Sequence, residues 1–286
     1  MQSVKNIEDL LKKRVKFVAL LAPSFVAEFS YPVIISQLNS LGFDKIVELT
    51  FGAKMINRDY HKLLKCSNSP LIATTCPGIV EYVTKSYPQY KKNLIPVDSP
   101  MIATAKICKK IFPKRKTLFI TPCDFKKSEA ENSKYVDYVI DYQQLKTLLE
   151  KNQNKFNKNK INKTKPSLSS KYFDKFYNDY TKVYPLSGGL SKTAHVKGIL
   201  KNDETKIIDG ILELNKFMKS PDKKIKFIDA TFCKGGCIGG PHLSKNISLV
   251  EKRKRVLKYI KLAKKEKMPC GCEGLVEKAN GISFRK

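Results

Sequence analysis

The sequence predicts a layered α/β fold of two lobes, each with a small, mainly parallel sheet flanked by helices. Short apolar runs typical of buried strands alternate with helical patterns, which is the order of elements found in parallel sheets. The chain has 286 residues, 42% of them hydrophobic, so it can bury a large core. A stretch rich in lysine and asparagine, 151–170, cannot bury one. We therefore expect a first lobe over 1–150, a linker or insertion over 151–170 and a second lobe over 171–286.

Apolar runs in the first lobe predict strands over 15–21, 45–49, 71–75 and 117–121. A helical pattern follows Ala22-Pro23-Ser24 and continues to about residue 39. A second helix begins at Pro77-Gly78. A third begins at Ser99-Pro100, because serine caps helix N-termini and proline is favoured at the first helical position.

In the second lobe, Ser187-Gly188-Gly189 precedes a helical segment that is predicted to reach residue 200. An apolar run over 225–230 predicts a strand that leads into Cys233. Ser244 is predicted to cap a long basic helix over 247–264. The apolar stripe of that helix, expected to pack in the core, consists of Leu249, Val256, Ile260 and Ala263.

The net charge of +29 would attract nucleic acid, an acidic protein or an anionic surface. The excess is nearly all lysine, whereas base reading and phosphate clamping favour the guanidinium fork of arginine, so nucleic acid is the disfavoured partner. No apolar run reaches the roughly 18–20 residues that cross a bilayer, so we expect no membrane partner. Residues 1–13 contain Glu8 and Asp9 and lack the apolar core of a signal peptide, which predicts a cytoplasmic protein.

Cysteines are the most informative residues of the chain. Without a secretion signal, its eight cysteines indicate metal binding, redox chemistry or packing rather than disulfides. Cys76, Cys123 and the pair Cys233 and Cys237 each follow the C-terminal end of a predicted strand. Ligands of open α/β sheets collect at those ends, so these thiols are expected to converge. Four thiolates match the ligand count of a 4Fe–4S cluster.

Neighbouring residues favour an anionic cofactor at this place. Cys76 stands before Pro77-Gly78, where the unpaired backbone N–H groups of a helix N-terminus are expected. Lys126 and Lys234 add positive charge near the cysteines. Close approach of backbone amides to the thiolates is permitted by Gly235, Gly236, Gly239 and Gly240.

Other interpretations of the cysteines stay open. A cysteine can be a small buried hydrophobe, and this is the interpretation for Cys66 and Cys108. Zinc is a second alternative, although structural zinc sites favour C-x-x-C pairs and the close pair here is C-x-x-x-C. Three interpretations of Cys270-Gly-Cys272 stay open: an extra ligand, a redox pair and no function.

The cysteine motifs resemble the C-terminal, catalytic domain of the large subunit of iron-only (di-iron) hydrogenases. That family carries the signatures TSCCP, MPCxxKxxE and MACxxGCxxGGGQP. They read here as ATTCPG over 73–78, TPCDFKKSE over 121–129 and TFCKGGCIGGP over 231–241. Weaker similarities lie at 41–45, 51–53, Ala22-Pro23-Ser24, Ser99-Pro100 and Ser187-Gly188-Gly189, so the resemblance covers about 15–241.

The resemblance implies a cofactor and a set of residues that hold it. Cys76, Cys123, Cys233 and Cys237 would bind a 4Fe–4S cluster, with Cys237 bridging to a di-iron subcluster that carries CO and cyanide. Lys126 would donate a hydrogen bond to a cyanide. The loops expected to line the di-iron pocket contain Ala22, Pro23, Ser24, Ser99 and Pro100.

The sequence also departs from the family. Thr75 replaces a cysteine that passes protons to the di-iron site, and Thr121 and Thr231 replace methionines. Tyr60 and Leu63 align with two glutamates of the proton route, and the GGGQP tail is shortened. We expect no ferredoxin-like domain before the catalytic domain, and therefore an external electron carrier such as a ferredoxin.

Two functions follow from this combination. The first is a slow or sensory hydrogenase or redox relay, an oxidoreductase that exchanges electrons with a ferredoxin-type carrier. The second is a non-enzymatic 4Fe–4S redox sensor or a regulatory or assembly module with a redox signalling partner. A third alternative, a basic nucleic-acid-binding protein with structural cysteines, predicts salt-sensitive binding that survives the loss of iron.

Overall fold

The computed structural model describes residues 4–67, 69–152 and 172–286. The described strands, in chain order, are β1 (Phe17–Leu21), β2 (Lys45–Glu48), β3 (Leu71–Ile72), β4 (Lys116–Thr121), β5 (Tyr138–Asp141), β6 (Thr205–Asp209) and β7 (Phe227–Thr231). They form two sheets, with strand orders β2-β1-β4-β5 and β3-β7-β6. Every strand pair is parallel.

Ten α-helices flank these sheets in the described part of the chain. They are α1 (Val4–Lys12), α2 (Val33–Leu41), α3 (Thr50–Cys66), α4 (Pro77–Ser86), α5 (Pro100–Ile111), α6 (Asp124–Glu131), α7 (Tyr142–Lys151), α8 (Gly189–Thr193), α9 (Ile211–Lys219) and α10 (Leu249–Ala263). None of the described helices is long and apolar enough to span a membrane. The predicted α/β fold with small parallel sheets flanked by helices is confirmed.

The first sheet is the middle layer of three. All five residues of β1 are fully buried, which explains its continuous apolar sequence. Val18 and Leu20 pack in one core with residues of α3 and α5. Phe17, Ala19 and Leu21 pack in the opposite core with residues of α1, α2 and α7. The alternation of side chains along β1 therefore divides it between two helical layers.

The second sheet draws strands from both halves of the chain. β3 comes from the first 150 residues, whereas β6 and β7 follow residue 171, and β7 lies between the other two. Residues of α4 and α9 cover this sheet in a smaller core around Ile79, Leu214 and Ile228. The division into lobes 1–150 and 171–286 stays a prediction. The predicted linker lies outside the described residues from position 153 onward.

Two predicted helices end or begin elsewhere than expected. The helix expected after Ala22-Pro23-Ser24 is a 3-10 turn, Pro23–Ala27, and α2 begins only after Pro32, which has no N–H to donate. The helix expected to reach residue 200 ends at Thr193, because His195 adopts a left-handed conformation with φ of 54°. The strands β5 and β6 were not predicted.

The predicted start of the last helix is wrong. Ser248 caps α10, accepting a hydrogen bond from the Glu251 N–H at 3.2 Å, and Ser244 does not. Val256 and Ala263 are buried as predicted, but Leu249 lies in the first turn and is 36% exposed. Tyr259 completes the buried face of the helix.

A buried ion pair joins three distant segments. Glu48 at the end of β2 and Lys182 are 2% and 0% exposed and pair directly. The Lys182 ammonium also donates to the Tyr259 hydroxyl at 2.8 Å, and that hydroxyl donates to Glu48 Oε1 at 2.8 Å. The Lys182 Nζ lies 4.5 Å from the Tyr259 ring centroid and 4.9 Å from that of Tyr177. Burial raises the pKa of Glu48, and Lys182 opposes that rise.

We expect Lys182→Met to lower the free energy of unfolding by about 3–5 kcal/mol, because it leaves the Glu48 carboxylate buried without its counter-ion. Urea unfolding followed by circular dichroism measures the change. Lys258→Met removes an exposed lysine of α10 and is the matched control, with an expected change within about 0.5 kcal/mol. Equal stability of the two variants would show that the buried pair contributes nothing.

Candidate metal centre

One cavity lies at the carboxyl ends of strands from both sheets. Its wall includes residues that directly follow β1, β4 and β7 and residues that begin three positions after β3. Parallel strands present all their carboxyl ends at one edge, so segments far apart in sequence meet here. The thiol-bearing residues of the wall are Cys76, Cys123, Cys233 and Cys237. The cavity encloses about 110 Å³, which is larger than the space of a single water molecule.

The first two cysteines stand at helix starts. Cys76 is the N-cap residue of α4 and Cys123 is the N-cap residue of α6. The backbone N–H groups of Phe125 and Lys126, in the first turn of α6, lower the pKa of the Cys123 thiol and so oppose the rise that burial causes. A thiolate at this place is therefore stabilised by helix-terminal N–H groups that have no partner within the helix.

The other two cysteines stand in a tight loop after β7. Gly236 has φ of 75°, and a Cβ there would lie 2.5 Å from the Pro185 carbonyl oxygen. A Cβ on Gly240 would lie 2.7 Å from the Pro122 carbonyl oxygen. The Cys237 N–H donates to the Pro185 oxygen at 2.8 Å. Only glycine allows the loop to approach these two segments closely enough to bring Cys237 to the cavity.

Three of the four thiols bind their protons more tightly than a free cysteine does. Burial and, to a smaller extent, the neighbouring thiols raise the pKa of Cys123 to about 11 and that of Cys233 to about 12. Burial also raises the pKa of Cys237, which is surrounded by protein and has its accessible surface toward the cavity. Clustered thiols that repel one another as thiolates form a donor set suited to a cationic metal centre, which favours their deprotonated form.

Lys126 carries the positive charge of the cavity wall. Its ammonium donates to Glu129 Oε2 at 2.6 Å and to the Thr75 carbonyl oxygen at 3.3 Å. The Ser99 hydroxyl donates to the same Glu129 oxygen at 3.0 Å. Ser99 also caps α5 by accepting from the Ile102 N–H at 3.4 Å. Glu129 therefore orients Lys126, a role that the sequence analysis did not assign.

The remaining residues expected at the site reach the cavity with one exception. Ala22, Pro23, Ser24 and Pro100 line it, whereas Ser99 does not and is linked to Lys126 in the wall through Glu129. Ser24, at the end of β1, shares a hydrogen bond of 2.7 Å with the Tyr142 hydroxyl. The loop after β1 is thereby attached to α7.

Two wall residues were not expected from the sequence. Asp229 is buried in β7 and accepts hydrogen bonds from the Ser191 N–H at 2.9 Å and the Ser191 hydroxyl at 2.7 Å. Burial raises the pKa of Asp229. The Tyr184 hydroxyl donates to Asn57 Oδ1 at 3.2 Å. A single carboxylate inside the apolar run 225–230 was the sequence signal that could have identified Asp229.

The threonines that depart from the family signatures lie at the cavity. Thr75, Thr121 and Thr231 all line it. Tyr60 is buried outside the wall and pairs with the Thr74 hydroxyl at 3.0 Å. Hydroxyls thus stand at positions where the family signatures have sulfur.

The other four cysteines do not line this cavity. Cys108 is buried in the core beside the first sheet, and Cys66 is exposed. Cys270 is exposed, and the Cys272 thiol donates to the Asp174 carbonyl oxygen at 3.1 Å. Within the described ranges, no group of three or more Cys, His, Asp or Glu side chains is placed to hold a single metal ion.

A known protein family matches the part of the chain that contains the cysteine cavity. The model of the iron only hydrogenase large subunit, C-terminal domain, matches residues 15–241, which include all four cavity cysteines. The chain belongs to this family. Its resemblance to the iron-only hydrogenases is thereby confirmed.

Several curated proteins of this kind are similar to the chain. Iron hydrogenase 1 of Clostridium pasteurianum is 26% identical over 322 aligned positions, which cover 89% of this chain and 55% of that protein. The cytosolic Fe-S cluster assembly factor NAR1 of Kluyveromyces lactis is 30% identical over 116 positions, covering 40% of this chain and 21% of that protein. NAR1 of Yarrowia lipolytica is 27% identical, with 39% and 26% covered. The chain spans about half the length of the hydrogenase and about a quarter of each assembly factor.

Solved hydrogenase structures share the fold. An apo FeFe-hydrogenase HydA1 variant from Chlamydomonas reinhardtii superposes with a TM-score of 0.58 at 15% identity, covering 98% of this chain and 92% of that one. A structure concerned with oxygen inactivation of FeFe-hydrogenase gives 0.60 at 17% identity, covering 90% and 88%. The α/β architecture is therefore that of this hydrogenase domain.

We expect Gly236→Ala to destabilise the protein by more than about 1 kcal/mol, because its left-handed backbone is strained for alanine and the Cβ collides with the Pro185 carbonyl. Thermal unfolding measures the effect. Gly198→Ala is the control, since its Cβ would meet nothing within 4 Å. If both variants unfold at the wild-type temperature, the loop does not require glycine at position 236.

Proposed function

We propose that the chain is an iron–sulfur redox protein whose Cys76, Cys123, Cys233 and Cys237 bind a 4Fe–4S cluster. The observation that carries this proposal is the convergence of four thiols from three distant segments on one cavity. The donor set fits the cluster in number and chemistry. The family match over 15–241 supports the same assignment.

The geometry also favours a di-iron subcluster beside Cys237. Ala22, Pro23, Ser24 and Pro100 would line its pocket, and Ser99 would act through Glu129. With both groups bound, the iron would supply electron transfer and heterolytic activation of H2. The Lys126 ammonium, oriented by Glu129, would donate to an anionic ligand. Apolar side chains such as Met101 and Phe119 line the same cavity and would help to exclude water from it.

The residues near the cavity favour slow turnover or sensing over rapid hydrogen production. Thr75 offers a neutral hydroxyl where a proton-passing cysteine stands in the family signature. The nearby Asp229 carboxylate already accepts two hydrogen bonds from Ser191. Proton transfer from position 75 to a substrate in the cavity would therefore start from a poor acid. A slow or sensory hydrogenase, or a redox relay, is the function that suits these groups.

A non-enzymatic function is the second candidate. The similarity to NAR1 assembly factors favours a chain that retains the 4Fe–4S cluster as a redox sensor or as a regulatory or assembly module. Such a module has no need of a proton donor at position 75. The two candidates share the four cysteine ligands and differ in whether the di-iron subcluster is present.

A basic groove on the outer side of Cys123 and Cys233 suits an electron-transfer partner. Cys123 and Cys233 line both this groove and the cavity. The exposed Lys234 and Lys245 and the buried Lys252 line the groove only. Because lysines surround the outer side of two proposed ligands, an acidic carrier of the ferredoxin type is the partner we propose. A redox signalling partner would use the same surface in the second candidate function.

Replacing any one of the four ligands tests cluster binding. We expect Cys76→Ser, Cys123→Ser, Cys233→Ser and Cys237→Ser each to abolish the iron–sulfur absorbance after anaerobic reconstitution, because a hydroxyl is a much weaker iron ligand than a thiolate. Iron and sulfide contents are measured on the same samples. Cys66→Ser and Cys108→Ser, which alter cysteines outside the cavity, should keep the absorbance. An unchanged spectrum of Cys76→Ser would sink the assignment.

Infrared spectroscopy separates the two candidate functions. We expect protein produced anaerobically with the di-iron maturation machinery to show CO and cyanide stretching bands. Lys126→Met should lose or shift the cyanide bands and retain the cluster absorbance, because it removes the proposed donor. Lys134→Met, at an exposed lysine, is the control. About four irons per chain without such bands would favour the non-enzymatic function.

A further inference from the structure

A second, basic cavity lies on the face of α3, away from the cysteines. We call it the α3 cavity, and its volume is about 360 Å³, within the usual range for small-molecule sites. Among the described residues, neither a carboxylate nor a cysteine lines it. The cationic, imidazole and aromatic side chains of its wall are Lys54, Arg58, His61, Lys62, Tyr180 and His195.

The spacing of these residues concentrates positive charge. Lys54, Arg58 and Lys62 follow one another at intervals of four, so they lie on one face of α3. The Lys54 ammonium donates to the Gly274 carbonyl oxygen at 3.0 Å, which holds it at one side of the cavity. Arg58 and Lys62 are exposed and offer a guanidinium fork and an ammonium. Two adjacent cations of this kind suit a doubly charged oxyanion such as phosphate.

Imidazole and phenol groups form the rest of the wall. The His61 Nδ1–H donates to the Ala194 carbonyl oxygen at 3.2 Å, so Nε2 is the ring nitrogen left for a ligand. The rings of Tyr180 and His195 are stacked, with centroids 5.3 Å apart and an interplanar angle of 16°. The Tyr180 hydroxyl lies 3.0 Å from His195 Nε2, and Tyr180 is 46% exposed. Left-handed backbone at His195, with φ of 54°, holds its ring at the cavity.

We infer that the α3 cavity binds a phosphate-bearing small molecule, with Arg58 and Lys62 contacting the phosphate. The exposed Tyr180–His195 pair would contact any planar ring that the molecule carries. Asn57 lies in the wall of this cavity, and the Tyr184 hydroxyl from the cysteine cavity donates to it at 3.2 Å. A ligand here would thus be separated from the metal centre by one hydrogen-bonded pair of side chains.

Calorimetric titration of the full chain with inorganic phosphate and with AMP, at constant ionic strength, tests the inference. The double variant Arg58→Gln, Lys62→Gln should bind both at least about tenfold more weakly. Lys216→Gln, Lys219→Gln alters two exposed lysines of α9 and should bind as the wild type does. Lys62→Gln alone is the variant to use if the double variant does not fold.

The outcomes are distinct. Loss of binding only in the α3 variants supports the inference, and tighter binding of AMP that Tyr180→Ala removes identifies a ligand with a ring. Equal binding of phosphate and AMP identifies the phosphate group as the shared determinant. Absence of binding at millimolar concentrations overturns the inference, as does equal weakening by both double variants or preferential binding of single-stranded RNA. No described cysteine lines the α3 cavity, so these results do not depend on the cluster proposal.

Discussion

The parallel direction of every strand is the constraint on which the site depends. Parallel pairing places all the carboxyl ends of a sheet at one edge, and both sheets contribute such ends to the same cavity. Cys123 is thereby brought near Cys233, although 110 positions separate them in the sequence. One reversed strand would move its following loop to the opposite edge of the sheet and remove its cysteine from the group.

Close backbone approach and buried charge complete this arrangement. Gly236 and Gly240 let the loop after β7 touch Pro185 and Pro122 without a Cβ between them. The pair of Glu48 and Lys182 connects the end of β2 to α10 through Tyr259. The approach of Gly240 to Pro122 and the pair of Glu48 and Lys182 both join segments of the first 150 residues to later ones. The four thiols, which repel one another as thiolates, are therefore held together by the surrounding fold and by any metal that binds them.

The basic residues of the chain lie on several different surfaces. Lys126 is neutralised by Glu129 inside the cavity wall, whereas Lys234, Lys245 and Lys252 surround the outer groove. The α3 cavity concentrates a third set of cations around Arg58, the kind of residue that net charge alone does not locate. The net charge of +29 is thus distributed over several separate surfaces and does not mark a single binding face.

The sequence by itself determined the fold class, the family and the group of four cysteines, because apolar periodicity and motif spacing are local properties of a chain. It also identified Ser99 as the N-cap of α5 and the strand before Cys233. Tertiary structure alone decided the rest. The first 150 residues supply β3 to a sheet whose other strands come later, and Glu129 orients Lys126 through contacts of the folded chain. The contact of Asp229 with Ser191, that of Tyr184 with Asn57 and the α3 cavity all join distant segments, which no local pattern encodes.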